Sequence, residues 1–148
     1  MEVKMDTKLK SDIAESAVIT ELLSRGYKVL RPVGDRLPYD IVVNVNGRFI
    51  RLQVKTAWYN KLKSMYIVDN RRTRTNRRFM KRSFYTAEDF DLAVLYVHES
   101  KSFYIMPVDV FISYGSSVAI VEDEKRQRLP RSAEYRERWD LLRTPVGS

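Results

Sequence analysis

The chain has 148 residues, 44% hydrophobic and 31% charged, enough for one domain with a single real core and typical of a soluble globular protein. Zero cysteines exclude disulfides and thiolate zinc sites, and a single histidine leaves any metal to carboxylates, which points to Mg²⁺ or Mn²⁺. No apolar run approaches a bilayer span, and the charged start Met1-Glu2-Val3-Lys4-Met5-Asp6 is unlike a signal peptide, so a cytoplasmic protein with no membrane partner is expected.

The first expected element is a helix over Ser11–Gly26, opened by Ser11 or Asp12 and stopped by Gly26. Glu15 is its odd residue. Val18, Ile19 and Leu22 follow it at the i+3, i+4 and i+7 positions, which puts a carboxylate on the apolar stripe. Such a group needs a partner. Two readings stand side by side: an Asp-x-x-Glu capping box with Asp12, or a metal shared with a second carboxylate, for which Asp40 is the candidate.

Tyr27–Val33 reads as a first strand and Gly34–Pro38 as a loop. The run from Tyr39 to Lys55 then reads as a β-hairpin, because Asn46-Gly47 between β-branched runs favours a two-residue type I′ turn with positive φ at both residues. Val45 pairs with Arg48 on this reading, and counting outward sets Asp40 opposite Gln53. Lys55 lies two residues further, on the same face and diagonal to Asp40. One carboxylate, one amide oxygen and one ammonium therefore converge. The other face, Ile41, Val43, Val45, Ile50, Leu52 and Val54, is a core face. A solvated outer face is the ordinary account of such a trio, and the pairing geometry argues instead for a candidate active site.

The basic segment follows almost at once. Lys61, Lys63, Arg71, Arg72, Arg74, Arg77, Arg78, Lys81 and Arg82 share it with one acid, Asp69. Removing these from the 27 basic and 19 acidic residues leaves 18 of each, so the whole net charge of +8 sits there. Interleaved Thr73, Thr75, Asn76 and Phe79 suit a phosphate backbone, and a nucleic-acid contact is preferred to a solvated loop.

Thr86–Asp89 reads as a turn or short helix, and Leu92–Val97 as a central strand covered on both faces. Glu99–Ser102 turns it into a strand over Phe103–Met106. Pro107–Tyr114 reads as a short helix, Val118–Val121 as a last strand, and the chain from Ser132 as a helix carrying Tyr135, Trp139 and Leu142. No repeat or second domain is visible. A helix, three strands, a helical connection and further strands make an α/β sandwich with a mixed central sheet flanked by helices.

The trio has the form D…(Q)xK, and in the order Asp12-Ile13-Ala14-Glu15, Arg25-Gly26-Tyr27, Tyr39-Asp40, Gln53-Val54-Lys55-Thr56 and Phe90-Asp91-Leu92 the chain resembles the PD-(D/E)XK nuclease superfamily. It is distantly similar to archaeal Holliday-junction resolvases. The closer resemblance, from Ser11 to about Tyr104, is to group I intron-encoded homing endonucleases of PD-(D/E)XK type. Gln53 departs from the pattern, which has Asp or Glu there, and both a native departure and an engineered Glu-to-Gln change are consistent with it. The resemblance implies a single restriction-endonuclease-like domain over residues 1–148, with a basic DNA-contacting insertion at about 59–86. It implies Mg²⁺-dependent cleavage of double-stranded DNA. Asp40, Glu15 and the main-chain carbonyl of Val54 would hold the metal, Gln53 would bind it only weakly, and Lys55 would serve the attacking water. Two cuts require a homodimer at least, and the resemblance favours a homotetramer.

Three rival readings remain: a junction-resolving nuclease, a DNA-binding module whose Gln53 marks a decayed site, and an RNA-cleaving enzyme using His98. Tyr66, Phe79, Phe84 and Tyr85 are candidates for base stacking, although at strand spacing such residues more often belong to a core or an interface.

Overall fold

Asp6 accepts a hydrogen bond from the Leu9 amide at 2.7 Å and caps α1, Thr7–Ser24. The computed structural model describes residues 6–75, 80–122 and 130–143, with the main chain alone at 72–75 and 80–82. The helix begins a turn earlier than expected because Asp6 has both the acceptor and the extended backbone of a cap. Asp12 lies inside the helix, which removes the capping-box account of Glu15. At the other end Gly26, at φ +86°, lets its own amide and that of Tyr27 bond back to Leu23 and Leu22, as expected for a glycine stop.

A seven-stranded mixed sheet carries the fold: β1 Lys28–Leu30, β2 Ile41–Val45, β3 Arg48–Asn60, β4 Met65–Asp69, then β7 Leu92–Val97, β8 Ser102–Pro107 and β9 Ser117–Ile120. Between β4 and β7 the chain makes a separate two-stranded ribbon, β5 Arg71–Thr75 with β6 Met80–Phe84. A short helix α2, Val108–Ser113, joins β8 to β9. All pairs are antiparallel except β3 with β7, whose register runs from Leu52↔Leu92 to Ala57↔Val97. The hairpin register is the expected one, from Ile41↔Leu52 to Val45↔Arg48. Asn46 and Gly47 both take positive φ in its turn.

Two apolar clusters sandwich the sheet. Ala14, Val18 and Leu22 of α1 pack on Ile41, Val43, Ile50, Leu52 and Val94. On the opposite face Ala57, Ala93, Leu95 and Met106 pack with Phe90, Phe111 and Val118. Every residue of β7 is buried, as its uninterrupted apolar run requires of a strand with neighbours on both sides.

Three expectations change. The first strand is shorter, Lys28–Leu30 in place of Tyr27–Val33. The crossover between the parallel strands β3 and β7 is built from β4, the ribbon and a turn near Thr86–Asp89, with no helical connection among the described residues. The C-terminal helix is replaced by two 3-10 turns, Arg131–Tyr135 and Trp139–Leu142. Glu137 separates them at φ 54°, and its amide donates to the Phe103 carbonyl at 2.7 Å. Its carboxylate accepts from the Phe103 amide at 3.0 Å and the Trp139 indole at 2.8 Å. Docking onto β8 therefore outweighs helical continuation. Among the described residues no helix is long and apolar enough to cross a membrane.

Asp91 extends the β3–β7 pairing beyond its last residues. Its amide bonds to the Arg51 carbonyl at 2.9 Å, and its carboxylate accepts from the Arg51 amide at 2.8 Å and the Arg51 guanidinium at 3.3 Å. Asp91→Ala should cost about 1–3 kcal/mol, because it strands a partly buried amide and cation. Urea unfolding measures this, and a loss under about 0.5 kcal/mol would show that the β3–β7 ladder does not depend on the carboxylate.

Candidate active site

β2 stops pairing at Ile41, and the first site residue fills the gap this leaves. The Asp40 amide still donates to the Leu52 carbonyl at 2.9 Å, and its carboxylate Oδ2 accepts from the Val54 amide at 2.9 Å. The strand opposition expected between Asp40 and Gln53 is thus completed through a side chain. In a strand the N–H and C=O of one residue point to the same side, so the Val54 carbonyl faces the same space as its amide. The Gln53 side-chain amide donates to that carbonyl at 3.3 Å. Ser11, Glu15, Asp40, Gln53, Val54, Lys55 and Thr56 line a cleft of about 220 Å³.

Glu15 enters from α1. One of its oxygens accepts from the Arg31 guanidinium at 2.8 Å, and that guanidinium side chain is 65% exposed. Burial pushes the Asp40 carboxyl up to about 6 and the neighbouring Glu15 charge adds to this, while the Val54 hydrogen bond, Lys55 and Arg31 oppose it. Burial also pulls the Lys55 ammonium below its ordinary value, against Asp69 and Asp40. Lys55 makes no bond to Asp40. It donates to the Arg71 main-chain carbonyl at 3.1 Å and lies 5.1 Å from the ring centre of Tyr85. Among the described residues no three His, Asp or Glu side chains converge, so a cation here would rely on two carboxylates and neutral oxygens.

Sequence reasoning missed Arg31, Ser11, Thr56 and the Arg71 carbonyl. Only the charge of Arg31, within the expected first strand, offered a signal. His98 lines no part of the cleft; its ring packs 4.8 Å from Tyr96 and burial holds it below its ordinary pKa.

The basic residues divide by position. Lys61 and Lys63 lie in the exposed turn between β3 and β4, Arg71, Arg72 and Arg74 on β5, and Lys81 and Arg82 on β6. Arg77, Arg78 and Phe79 lie outside the described residues. The Arg71 guanidinium turns back onto Asp69, with Nε at 3.1 Å from Oδ1. Tyr85 is buried, with its ring 5.2 Å from Phe90 and 6.0 Å from Phe111, which makes it a core residue and not an exposed stacking platform. Phe84 is exposed, and Tyr66 packs on Tyr59.

Residues 5–142 match the family model described as PD-(D/E)XK endonuclease. The chain belongs to the PD-(D/E)XK endonuclease family. Among solved structures, this PD-(D/E)XK endonuclease is similar to the bacterial homing endonuclease I-Ssp6803I, with 55% identity over 93% of each chain and a TM-score of 0.86. Comparison with curated proteins gave no match.

The burial of Asp40 has a thermodynamic signature in this endonuclease. A carboxyl raised from 3.8 to about 6 on folding favours the native state fully below pH 3.8, and that contribution disappears as pH rises through about 6. Asp40→Asn keeps an oxygen for the Val54 amide and cannot ionise. Relative to wild type it should therefore gain about 2–3 kcal/mol between pH 4 and pH 7. Chemical unfolding at the two pH values tests this, and a pH-independent difference would contradict the assigned shift.

Proposed function

We propose that this chain is a site-specific endonuclease of the homing type, which makes double-strand breaks in DNA by divalent-metal-assisted phosphodiester hydrolysis. The convergence of Glu15, Asp40, the Val54 carbonyl and Lys55 in one cleft, at the base of a basic ribbon, carries this reading. The likeness to a bacterial homing endonuclease supports the same substrate class. We read residues 1–148 as one domain with a DNA-contacting insertion at about 59–86.

The donor set fits a hard cation. Among the described residues one oxygen each of Asp40 and Glu15 accepts no hydrogen bond, and the Val54 carbonyl faces the same space. Burial and repulsion that raise Asp40 are relieved by positive charge. Mg²⁺, or Mn²⁺ in its place, would be held by Asp40, Glu15 and the Val54 carbonyl and supplies Lewis-acid charge at the scissile phosphate when bound. Gln53 adds an amide without formal charge and steadies the Val54 carbonyl. Arg31 orients the Glu15 carboxylate through its hydrogen bond. Lys55 has two ammonium donors beyond its bond to Arg71, with which it orients the attacking water and offsets charge building on the phosphorane-like transition state.

The ribbon is the proposed target-reading element. A two-stranded ribbon fits the major groove, about 12 Å wide. Its register sets Arg74 against Lys81, two basic positions across the ribbon. Each subunit has one set of these site residues and a double-strand break needs two cuts, so a homodimer at least is required, and we favour a homotetramer. Exposed Phe49, Trp58 and Tyr59 offer apolar surface for such contacts.

Incubation with Mg²⁺ and a random duplex library, followed by sequencing of the ends, tests the reading directly. Staggered or blunt breaks at one sequence support it; cleavage of four-way junctions alone would move the chain to the junction-resolving class. Lys55→Ala should abolish cleavage while leaving binding of the selected duplex within about tenfold. Near-normal cleavage by that variant would remove Lys55 from the chemistry. Gln53→Glu should lower the Mg²⁺ concentration needed for half-maximal activity, and an unchanged metal requirement would place Gln53 outside the metal shell.

Salt titration separates the roles of the residues of the basic segment. Removing a side chain that neutralises one phosphate should flatten the plot of log affinity against log salt by roughly one unit. A substitution among Arg72, Arg74, Arg77 and Arg78 that instead costs about 1–3 kcal/mol and relaxes one base pair identifies a base-reading side chain. Unchanged affinity and slope for all four would put the DNA surface elsewhere.

A further inference from the structure

Lys55 leaves β3 toward the base of the ribbon and is met there from both sides. Its acceptor, the Arg71 carbonyl, belongs to the first residue of β5, and the ring beneath its ammonium, Tyr85, directly follows β6. Both contacts are anchored in the core. Asn70, immediately before β5, is buried, with its amide on the Ser116 carbonyl at 3.0 Å and its side chain donating to the Phe111 carbonyl at 2.7 Å. Tyr85 meets Phe90 edge-on and Phe111 at a tilt.

A lysine stem has many rotamers and does not by itself hold an ammonium at one point, so an ammonium in the chemistry requires support from its surroundings. A ring face about 5 Å away supplies that support to a cation, within the roughly 6 Å over which such attraction acts. We propose that Tyr85 is a positioning residue for the nuclease reaction: its ring face, together with the Arg71 carbonyl, holds the Lys55 ammonium in place, so that the ribbon base supports one group of the active site from behind. This rests on Lys55 acting as proposed above. It also gives Tyr85 a role that packing against Phe90 and Phe111 does not require.

The test uses the full chain with Phe, difluoro-Phe or pentafluoro-Phe at position 85. The three are nearly equal in shape, and fluorination progressively removes the negative ring face. The substrate is a duplex selected by the wild-type protein from a random library in Mg²⁺. Tyr85→Phe should retain kcat within about threefold, while the fluorinated series should lower it stepwise to at least tenfold, with KM and melting temperature unchanged. In the free protein the ¹³Cε resonance of Lys55, assigned by its loss in Lys55→Ala, should carry a ring-current shift that Phe preserves and Tyr85→Leu removes. A flat kcat across the fluorinated series would overturn the proposal, as would a Lys55 resonance that ignores Tyr85→Leu. Cleavage by Lys55→Ala would overturn the assignment of Lys55 itself. An inactive Lys55→Ala beside a flat fluorinated series would overturn the positioning role alone.

Discussion

The Val54 amide has to find an acceptor after β2 has ended. β3 bonds to β2 over its first residues, to β7 over its middle and to β4 near its end, and the change of neighbour falls at residues 52–58. A main-chain donor left at such a junction costs free energy unless a side chain takes it. Asp40 takes it, and in doing so is fixed beside the Val54 carbonyl. The carboxylate most central to the cleft is thus held by the same requirement that completes the sheet.

That placement carries a local cost. Asp40 and Glu15 are two acids in a half-buried cleft, and the Val54 amide, Lys55 and Arg31 offset the burden on Asp40. The core on both faces of the sheet bears this cost, since buried Leu52 and Ala57 lie on opposite faces of β3, the strand that carries Gln53 and Lys55. Local rules are broken at the candidate site: an acid on an apolar helical stripe and an amide buried on a strand between hydrophobic neighbours.

Those violations were the most legible part of the sequence. The hairpin register followed from Asn46-Gly47 and alternation alone, so the grouping of Asp40 with Gln53 and Lys55 could be read by counting. Glu15 was detectable because it interrupts a helical stripe. The ends of elements were harder, since they depend on tertiary partners. Glu137 stops a helix because β8 offers it a carbonyl and an amide, and no pattern near Ser132 announces this. The early start of α1 rested on one cap, Asp6, that competed with Ser11 and Asp12. The partners of Lys55 were invisible for a different reason: one is a main-chain carbonyl, which has no letter in the sequence, and Tyr85 reads equally as core.

The crossover between β3 and β7 has a further consequence. A parallel pair forms only after the intervening chain has closed, and closure entropy grows with the logarithm of loop length, at roughly 0.6 kcal/mol for each doubling. Asn70 and Tyr85 already fasten the two feet of the ribbon to the interior. Residues between those feet can be lengthened, shortened or replaced at small thermodynamic cost, while the strands beneath them stay as they are. Such an arrangement lets the outer segment diverge quickly under selection as the sheet below it remains fixed.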